Sequence, residues 1–189
     1  QPATASLHPE NAGIAVNERG AIVVDKQLHT TADNIWAMGD VTGGLQFTYI
    51  SLDDYRIVRD ELLGEGKRST DDRKNVPYSV FMTPPLSRVG MTEEQARESG
   101  ADIQVVTLPV AAIPRARVMN DTRGVLKAIV DNKTQRMLGA SLLCVDSHEM
   151  INIVKMVMDA GLPYSILRDQ IFTHPSMSES LNDLFSLVK

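Results

Sequence analysis

Cysteine is nearly absent from this 189-residue chain, in which Cys144 is the only one and lies in the apolar run ASLLCV. A single cysteine cannot form a disulfide within the chain, which excludes the disulfide-rich class of small secreted domains. We therefore expect a reducing compartment and predict a cytoplasmic protein. Because its neighbours are apolar, Cys144 itself is predicted to be a small buried hydrophobic residue.

A surplus of positive charge is also missing, since the formal net charge is -5 and the sequence pI is near 5.3. Such a chain has no general attraction for phosphate backbones or anionic membrane surfaces. No apolar run is long enough to cross a bilayer. We expect neither nucleic acid nor a membrane as a partner, and the hydrophobic fraction of 43% is that of a globular protein.

The chain also lacks a dinucleotide fingerprint, because none of its 12 glycines falls in a G-x-G-x-x-G pattern. By itself it therefore has no glycine-rich turn to hold the pyrophosphate of a cofactor. It begins with Gln1 rather than Met, and we expect it to be a piece of a longer chain.

Two domains are predicted, residues 1–70 and residues 76–189, because the stretch GEGKRSTDDRKN at 64–75 has the composition of a linker. The first contains a hairpin pattern over residues 14–24, a short strand at 35–38 and a helix at 48–63. These elements are typical of the end of an α/β domain.

The second domain shows a different order of patterns. Strands are predicted at 76–82, 103–108, 124–131 and 137–145, and helices at 92–100, 146–161 and from Pro175 onward. Two of the helices begin with capping-box spacing, at Thr92 with Gln95 and at Asp146 with Glu149. Together they predict an α+β fold, an antiparallel sheet with helices on one face.

The stretch HPSMSE offers the most suggestive pair of side chains, His174 and Glu179. Pro175 suits the first position of a helix, and Glu179 would then lean back toward His174 and orient its imidazole. An imidazole so held can serve as a general acid and base near neutral pH. The alternative is structural: His174 fills a turn and Glu179 favours the positive end of a helix dipole.

A second candidate is the sequence IWAMGD, in which a short strand delivers Gly39 and Asp40 to its carboxyl end, where α/β sheets bind ligands. Thr48 follows at the predicted start of a helix, whose amide groups can face an electron-rich ligand. The alternative for Asp40 is an ordinary turn aspartate after glycine.

Three stretches in this order resemble the flavoprotein disulfide reductases, also called class I pyridine nucleotide-disulfide oxidoreductases: TTADNIWAMGDVTG, VPYSVFMTPPLSRVGMTEEQA and FTHPSMSE. With GVLKAIVDNKTQRMLGA and SHEMIN, the resemblance covers nearly the whole chain. It implies that residues 1–70 are the last part of an FAD-binding domain and that 76–189 form the interface domain of a homodimer.

The resemblance also assigns roles to individual residues. Gly39 and Asp40 would bind the ribityl chain of FAD, and Thr48 would face the flavin ring. His174 and Glu179 would be the acid-base pair of the partner subunit's redox site, with a cis bond between His174 and Pro175. FAD and NAD(P)H would be cofactors of the full-length protein, and the substrate a small molecule or a metal ion.

Some expectations follow from what the family needs and this chain lacks. With no second cysteine and no fingerprint, the chain alone is predicted to be inactive and to bind no cofactor, and no resident metal site is expected. The alternative function is a stand-alone, non-catalytic dimerisation module of the same fold. The upstream gene sequence discriminates between them: a CxxxxC pair and two fingerprints favour the enzyme, whereas a start codon near Gln1 favours the module.

Overall fold

The computed structural model describes residues 2–189 and divides into two compact units. The first unit ends at Arg73, and the second runs from Lys74 to Lys189. The first is built from one long helix, 3-10 turns and isolated β-bridges, and the second contains a five-stranded sheet with helices.

The predicted hairpin and strand of the first unit are single β-bridges rather than continuous strands. Val16 pairs with Ile22, and Trp36 pairs with His29. Asn34 has a left-handed backbone with φ 61°, and a 3-10 turn begins at Gly39, so only a few extended residues remain between them. The prediction of a short strand at 35–38 was therefore wrong, since only the single β-bridge at Trp36 is present there.

The helix of the first unit, α1, spans Thr48–Leu63, as the sequence pattern predicts. Its buried residues are Ile50, Asp54 and Ile57, which recur at intervals of three and four and so lie on one face. The burial of a carboxylate among them is unusual and requires a charged or hydrogen-bonding partner. That partner comes from the segment that follows the helix.

Residues 64–73 have the composition of a linker but fold back onto α1. Asp60 accepts hydrogen bonds from the backbone N–H groups of Lys67 and Arg68, at 2.8 and 3.0 Å. Ser69 and Asp72 form a capping box around a short 3-10 turn. The polar side chains of this segment form hydrogen bonds to backbone groups and ion pairs with α1. Because such residues are also typical of linkers, composition alone suggested an unstructured connection.

The second unit contains a five-stranded antiparallel sheet in the order β1-β2-β5-β4-β3. Its strands are β1 Tyr78–Val80, β2 Leu86–Gly90, β3 Ile103–Pro109, β4 Val125–Asp131 and β5 Met137–Leu143. The sequence patterns predict all of them except β2. In that strand Ser87 faces the core and Arg88 faces away, so the apolar alternation that marks a strand is broken.

Helices cover one face of this sheet. They are α3 Pro114–Val118, α4 Ser147–Asp159, α5 Ser165–Asp169 and α6 Ser180–Ser186, while α2 spans Glu93–Glu98. Helix α4 contacts β2 and β5, and α6 contacts β3 and β4. The predicted α+β fold is thus confirmed, with α2 added on the opposite face, where Glu93 binds Lys127 at 2.5 Å.

The two predicted capping boxes have different outcomes. Thr92 and Gln95 exchange side-chain and backbone hydrogen bonds at the start of α2, as predicted. Asp146 makes no side-chain cap, because its backbone is left-handed with φ 60°. The Glu149 N–H instead donates to the Asp146 carbonyl at 3.0 Å, so the second box was predicted wrongly.

The core between the sheet and its helices is predominantly apolar, which makes it the main source of stability in the second unit. Leu126→Ala removes a completely buried side chain and should lower the free energy of unfolding by about 2–5 kcal/mol. Leu162→Ala, at an exposed position, should cost less than about 1 kcal/mol. Urea denaturation of the three proteins measures this, and equal losses would contradict the placement of the core.

Candidate active-site residues

The imidazole of His174 and the carboxylate of Glu179 are in direct contact. Nδ1 of the ring lies 2.8 Å from one carboxylate oxygen and 3.0 Å from the other. The His174 side chain is 67% exposed and that of Glu179 is 30% exposed. A solvent-accessible imidazole held at one nitrogen by a more sheltered carboxylate is an arrangement suited to proton transfer.

The contact arises from a turn and not from the predicted helix. Helix α6 begins at Ser180, five residues after Pro175, and Glu179 is its N-cap residue. Within the turn, the Ser176 hydroxyl accepts the Glu179 N–H at 3.2 Å, and the Ser180 hydroxyl donates to the Met177 carbonyl at 2.5 Å. Such hydroxyl bonds to nearby backbone groups compete with helix formation, and the predicted helix start at Pro175 was wrong.

Two further features of this turn bear on the sequence predictions. The His174–Pro175 peptide bond is cis, as the family resemblance implies. Met177 and Leu181 are buried in the core of the second unit, which anchors the turn on both sides of Glu179. The exposed ring is therefore attached to a well-packed base.

The hydrogen bond at Nδ1 determines what the other ring nitrogen can do. A carboxylate on Nδ1 favours the tautomer in which Nδ1 carries a proton, leaving Nε2 to exchange protons with another molecule. Within residues 2–189, Nε2 of His174 has no hydrogen-bond partner. The geometry therefore provides an oriented proton donor and acceptor facing outward.

The predicted flavin-binding residues lie in the first unit. Gly39 begins a 3-10 turn, Gly39–Thr42, with φ 77°, and its N–H donates to the Asp54 carboxylate at 2.6 Å. A Cβ at Gly39 would lie 3.0 Å from the Ser51 hydroxyl, so a larger residue would press on α1. The turn thus brings Gly39 and α1 together.

Asp40, the next residue in this turn, is exposed, and its carboxylate has no partner within residues 2–189. Thr48 is the first residue of α1 and is also exposed. Amide groups at a helix start lack acceptors within the helix and favour an electron-rich ligand. The Asp40 carboxylate has the chemistry to accept hydrogen bonds from the ribityl hydroxyl groups of a flavin. The start of α1 at Thr48 has the chemistry to face an electron-rich flavin ring.

Sequence reasoning missed the residues that hold this turn in place. The buried Asp54 binds Arg73 through the carboxylate oxygen that does not accept from Gly39. Arg73 also binds Asp53 at 2.7 Å, and Arg68 binds the other oxygen of Asp53 at 2.8 Å. The available signal was a pair of adjacent aspartates on the buried side of α1, with two arginines in the supposed linker.

Ionisation of this network follows from its geometry. Partial burial raises the pKa of Asp53, but the hydrogen bonds and charges of Arg73 and Arg68 outweigh it, so the pKa is lowered overall. Burial disfavours the charge of Arg73, yet its two aspartate partners raise its pKa overall. Asp53 and Arg73 therefore stabilise one another in their charged forms.

Cys144 is confirmed as a buried structural residue. Burial raises the pKa of its thiol to about 12, and its sulfur lies 3.8 Å from the Met150 sulfur in the core. Because the thiolate is the reactive form, a buried thiol with a raised pKa is poorly suited to thiol exchange.

The described part of the chain contains no group of three or more His, Cys, Asp or Glu residues placed to hold a metal ion. Over residues 2–189, no helix is both long and apolar enough to cross a membrane.

Comparison with known proteins identifies a family that this chain matches. Residues 76–185 match the family described as pyridine nucleotide-disulphide oxidoreductase, dimerisation domain, and residues 1–54 match its companion, pyridine nucleotide-disulphide oxidoreductase. The sequence motifs also predict a likeness to the reactive-chlorine-resistance flavoprotein of bacteria. The structural comparison agrees with that likeness.

Three proteins illustrate the similarity. The structure of the HOCl-induced flavoprotein disulfide reductase RclA from Escherichia coli, a Cu(II) complex, is 99% identical over the whole chain, with a TM-score of 0.99. A mercuric reductase from Staphylococcus aureus is 35% identical over 96% of the chain, and a dihydrolipoyl dehydrogenase from Mycobacterium bovis is 31% identical over 93%. The chain spans only 43%, 33% and 38% of these proteins, respectively.

The ion network predicts how the first unit responds to acid. The pKa of Asp53 is below its ordinary value of 3.8, so its stabilising effect is complete above that value and is lost as pH falls through the lower, folded-state pKa. Asp53→Asn should therefore flatten the loss of stability between about pH 5 and about pH 3. Urea midpoints across this range measure the effect.

Asp33→Asn provides the control, since Asp33 is an exposed aspartate of the same unit without an ion pair among the described residues. It should leave the acid loss of stability unchanged. Identical pH profiles for Asp53→Asn and the original chain would show that the arginine contacts do not stabilise the folded state.

Proposed function

Because this chain belongs to the pyridine nucleotide-disulphide oxidoreductase family, whose dimerisation domain matches residues 76–185, we propose that it forms part of an FAD-dependent, NAD(P)H-using oxidoreductase. The observation that carries the proposal is the outward-facing imidazole of His174, oriented by Glu179. In a family defined by disulfide chemistry, such a group serves to move a proton to and from sulfur.

The proposed role of His174 is specific. When a disulfide is reduced, one sulfur leaves as a thiolate, and a protonated imidazole within reach can neutralise it. Glu179 holds Nδ1 and keeps Nε2 directed away from the turn. The exposed position allows the ring to act on a site outside its own unit.

Residues of the first unit fit a flavin at two points. Asp40 offers a free carboxylate to ribityl hydroxyl groups, and the Thr48 amide at the start of α1 suits the electron-rich part of the ring. Gly39 permits the tight turn that presents Asp40, because it adopts φ 77° without strain. When bound, FAD would carry electrons from NAD(P)H to a pair of cysteines elsewhere in the polypeptide.

We propose a homodimer in which each redox site uses the imidazole of the other subunit. The matched dimerisation domain supports this assembly. The acceptor is a small disulfide or a metal ion. Dihydrolipoyl dehydrogenase favours the first among the similar proteins, and mercuric reductase and the Cu(II) complex favour the second.

The imidazole of His174 bears on this choice, because an oriented proton donor suits thiolate protonation rather than metal handling alone. A reducing, cytoplasmic location suits a chain whose only cysteine is a buried thiol. The second candidate, a non-catalytic dimerisation module, requires that His174 and Glu179 have no chemical role.

Replacing His174 separates these two functions in the longer polypeptide that carries the flavin and the cysteine pair. His174→Ala should lower turnover of a disulfide by roughly two to four orders of magnitude, because a positioned acid-base group is lost. Glu179→Gln should cost less, because the ring remains. Flavin reduction by NAD(P)H should be nearly unchanged in both variants, since hydride transfer does not need this proton.

A matched control exists in the first unit, where the exposed His8 contacts Glu10 at 3.2 Å in a similar pair. His8→Ala should leave disulfide turnover unchanged. Full turnover in His174→Ala would support the non-catalytic module instead.

Mixed dimers test whether the site is shared between subunits. One inactive variant lacks His174 and the other lacks the redox cysteines, so a shared arrangement restores one working site in each mixed dimer. Disulfide reduction in purified mixed dimers should reach about half the activity of the original dimer, as one site in two is intact. Verified mixed dimers without activity would exclude the exchange of His174 between subunits.

A further inference from the structure

The segment that leads into the imidazole has little support of its own. Residues 171–174 form no backbone–backbone hydrogen bond with any other described part of the chain. Ile171 is 93% exposed, and its N–H donates only to the side chain of Gln170, at 3.0 Å. Phe172 alone packs against the core. Something must fix the start of this segment if His174 is to keep one position.

Asn182 provides that fixed point. Its side-chain nitrogen lies 2.8 Å from the carbonyl oxygen of Leu167, 3.0 Å from that of Arg168 and 3.0 Å from that of Gln170. The carbonyl groups of Leu167 and Arg168 belong to the last turn of α5, where carbonyl groups have no N–H partner within the helix. The third belongs to the residue at which the chain leaves α5 for His174.

Helix α6 thus holds the segment at both ends. Glu179, immediately before the helix, binds the imidazole of His174. Asn182, three residues later, binds the backbone carbonyl of Gln170, at the other end of the segment. Residues three apart in a helix lie on the same side. The helix itself is immobilised, because Leu181 and Leu184 are completely buried.

We propose that Asn182 is a positioning residue for His174, which it serves by clamping the exit of α5 with its amide group. This inference rests on the proposed acid-base role of His174. Asn182 touches neither the imidazole nor a substrate; its effect passes through residues 170–173. A neutral amide suits the position because it brings two hydrogens to three carbonyl oxygens, whereas a carboxylate would bring only repulsion.

The test uses the longer, flavin-containing polypeptide and a double-mutant cycle. Asn182→Ala removes the donor, and displacement of the imidazole by about an ångström should lower disulfide turnover by about 10- to 100-fold. Flavin reduction by NAD(P)H should stay unchanged. In a His174→Ala background the same substitution should have no further effect, because there is no imidazole left to position.

Two companion variants sharpen the result. Asn182→Asp keeps the shape but removes the donor, and should lower turnover at least as much as Asn182→Ala. Asn152→Ala is the control, since Asn152 is an exposed asparagine of α4 that also donates to a backbone carbonyl, that of His148, at 3.0 Å. It should leave turnover unchanged. If Asn182→Ala does not fold, Asn182→Ser, with a shorter donor, is measured against the same criteria.

Several outcomes would overturn the inference. Equal losses with and without His174, or equal losses in flavin reduction and disulfide turnover, would make Asn182 a purely structural residue. Turnover unchanged in every folded Asn182 variant would remove it from the site altogether.

Failure of the proposed function has a different signature, in which His174→Ala itself retains full disulfide turnover. Amide hydrogen exchange then tests the clamp alone: faster exchange of the Leu167 and Arg168 amides, which are hydrogen-bonded to the Tyr164 carbonyl at the clamped end of α5, supports it in Asn182→Ala, and unchanged exchange refutes it.

Discussion

Burial of the last helix against the antiparallel sheet is the constraint on which the candidate acid-base site depends. Leu181, Leu184 and Phe185 are completely buried, so α6 cannot shift without opening the core. The residue before this helix, Glu179, holds the imidazole of His174, and the helix also secures the chain that precedes it. The exposed imidazole is thereby anchored to the core while remaining accessible to solvent.

The first unit achieves a comparable result by a different interaction. Its turn at Gly39 is held by a buried carboxylate, that of Asp54, whose charge is paired with Arg73; Arg73 also binds Asp53, which is paired with Arg68 as well. Apolar packing positions one candidate site and a charged network positions the other. The two sites differ because Gly39 has no side chain that could pack in a core. Its position is fixed instead by the hydrogen bond from its N–H to Asp54.

Much of this organisation is predictable because it is local. The bounds of α1, the cap of α2 and the pairing of His174 with Glu179 all depend on residues close together in sequence. The patterns fail where distant residues decide the structure. Strand β2 is stabilised by neighbours on both sides despite its polar Ser87, and Arg73 reaches back about twenty positions to α1. The start of the last helix was predicted wrongly for a local reason, because the hydroxyls of Ser176 and Ser180 bond to nearby backbone groups.

The buried thiol of Cys144 has a consequence for site-directed labelling. Burial raises its pKa to about 12, and its sulfur lies enclosed beside Met150, so the reactive thiolate form is disfavoured. Cys144 is the one cysteine of the chain, so residues 2–189 expose no thiol of their own. A cysteine introduced at the surface of these residues would therefore be the single target in this chain for a thiol-specific probe.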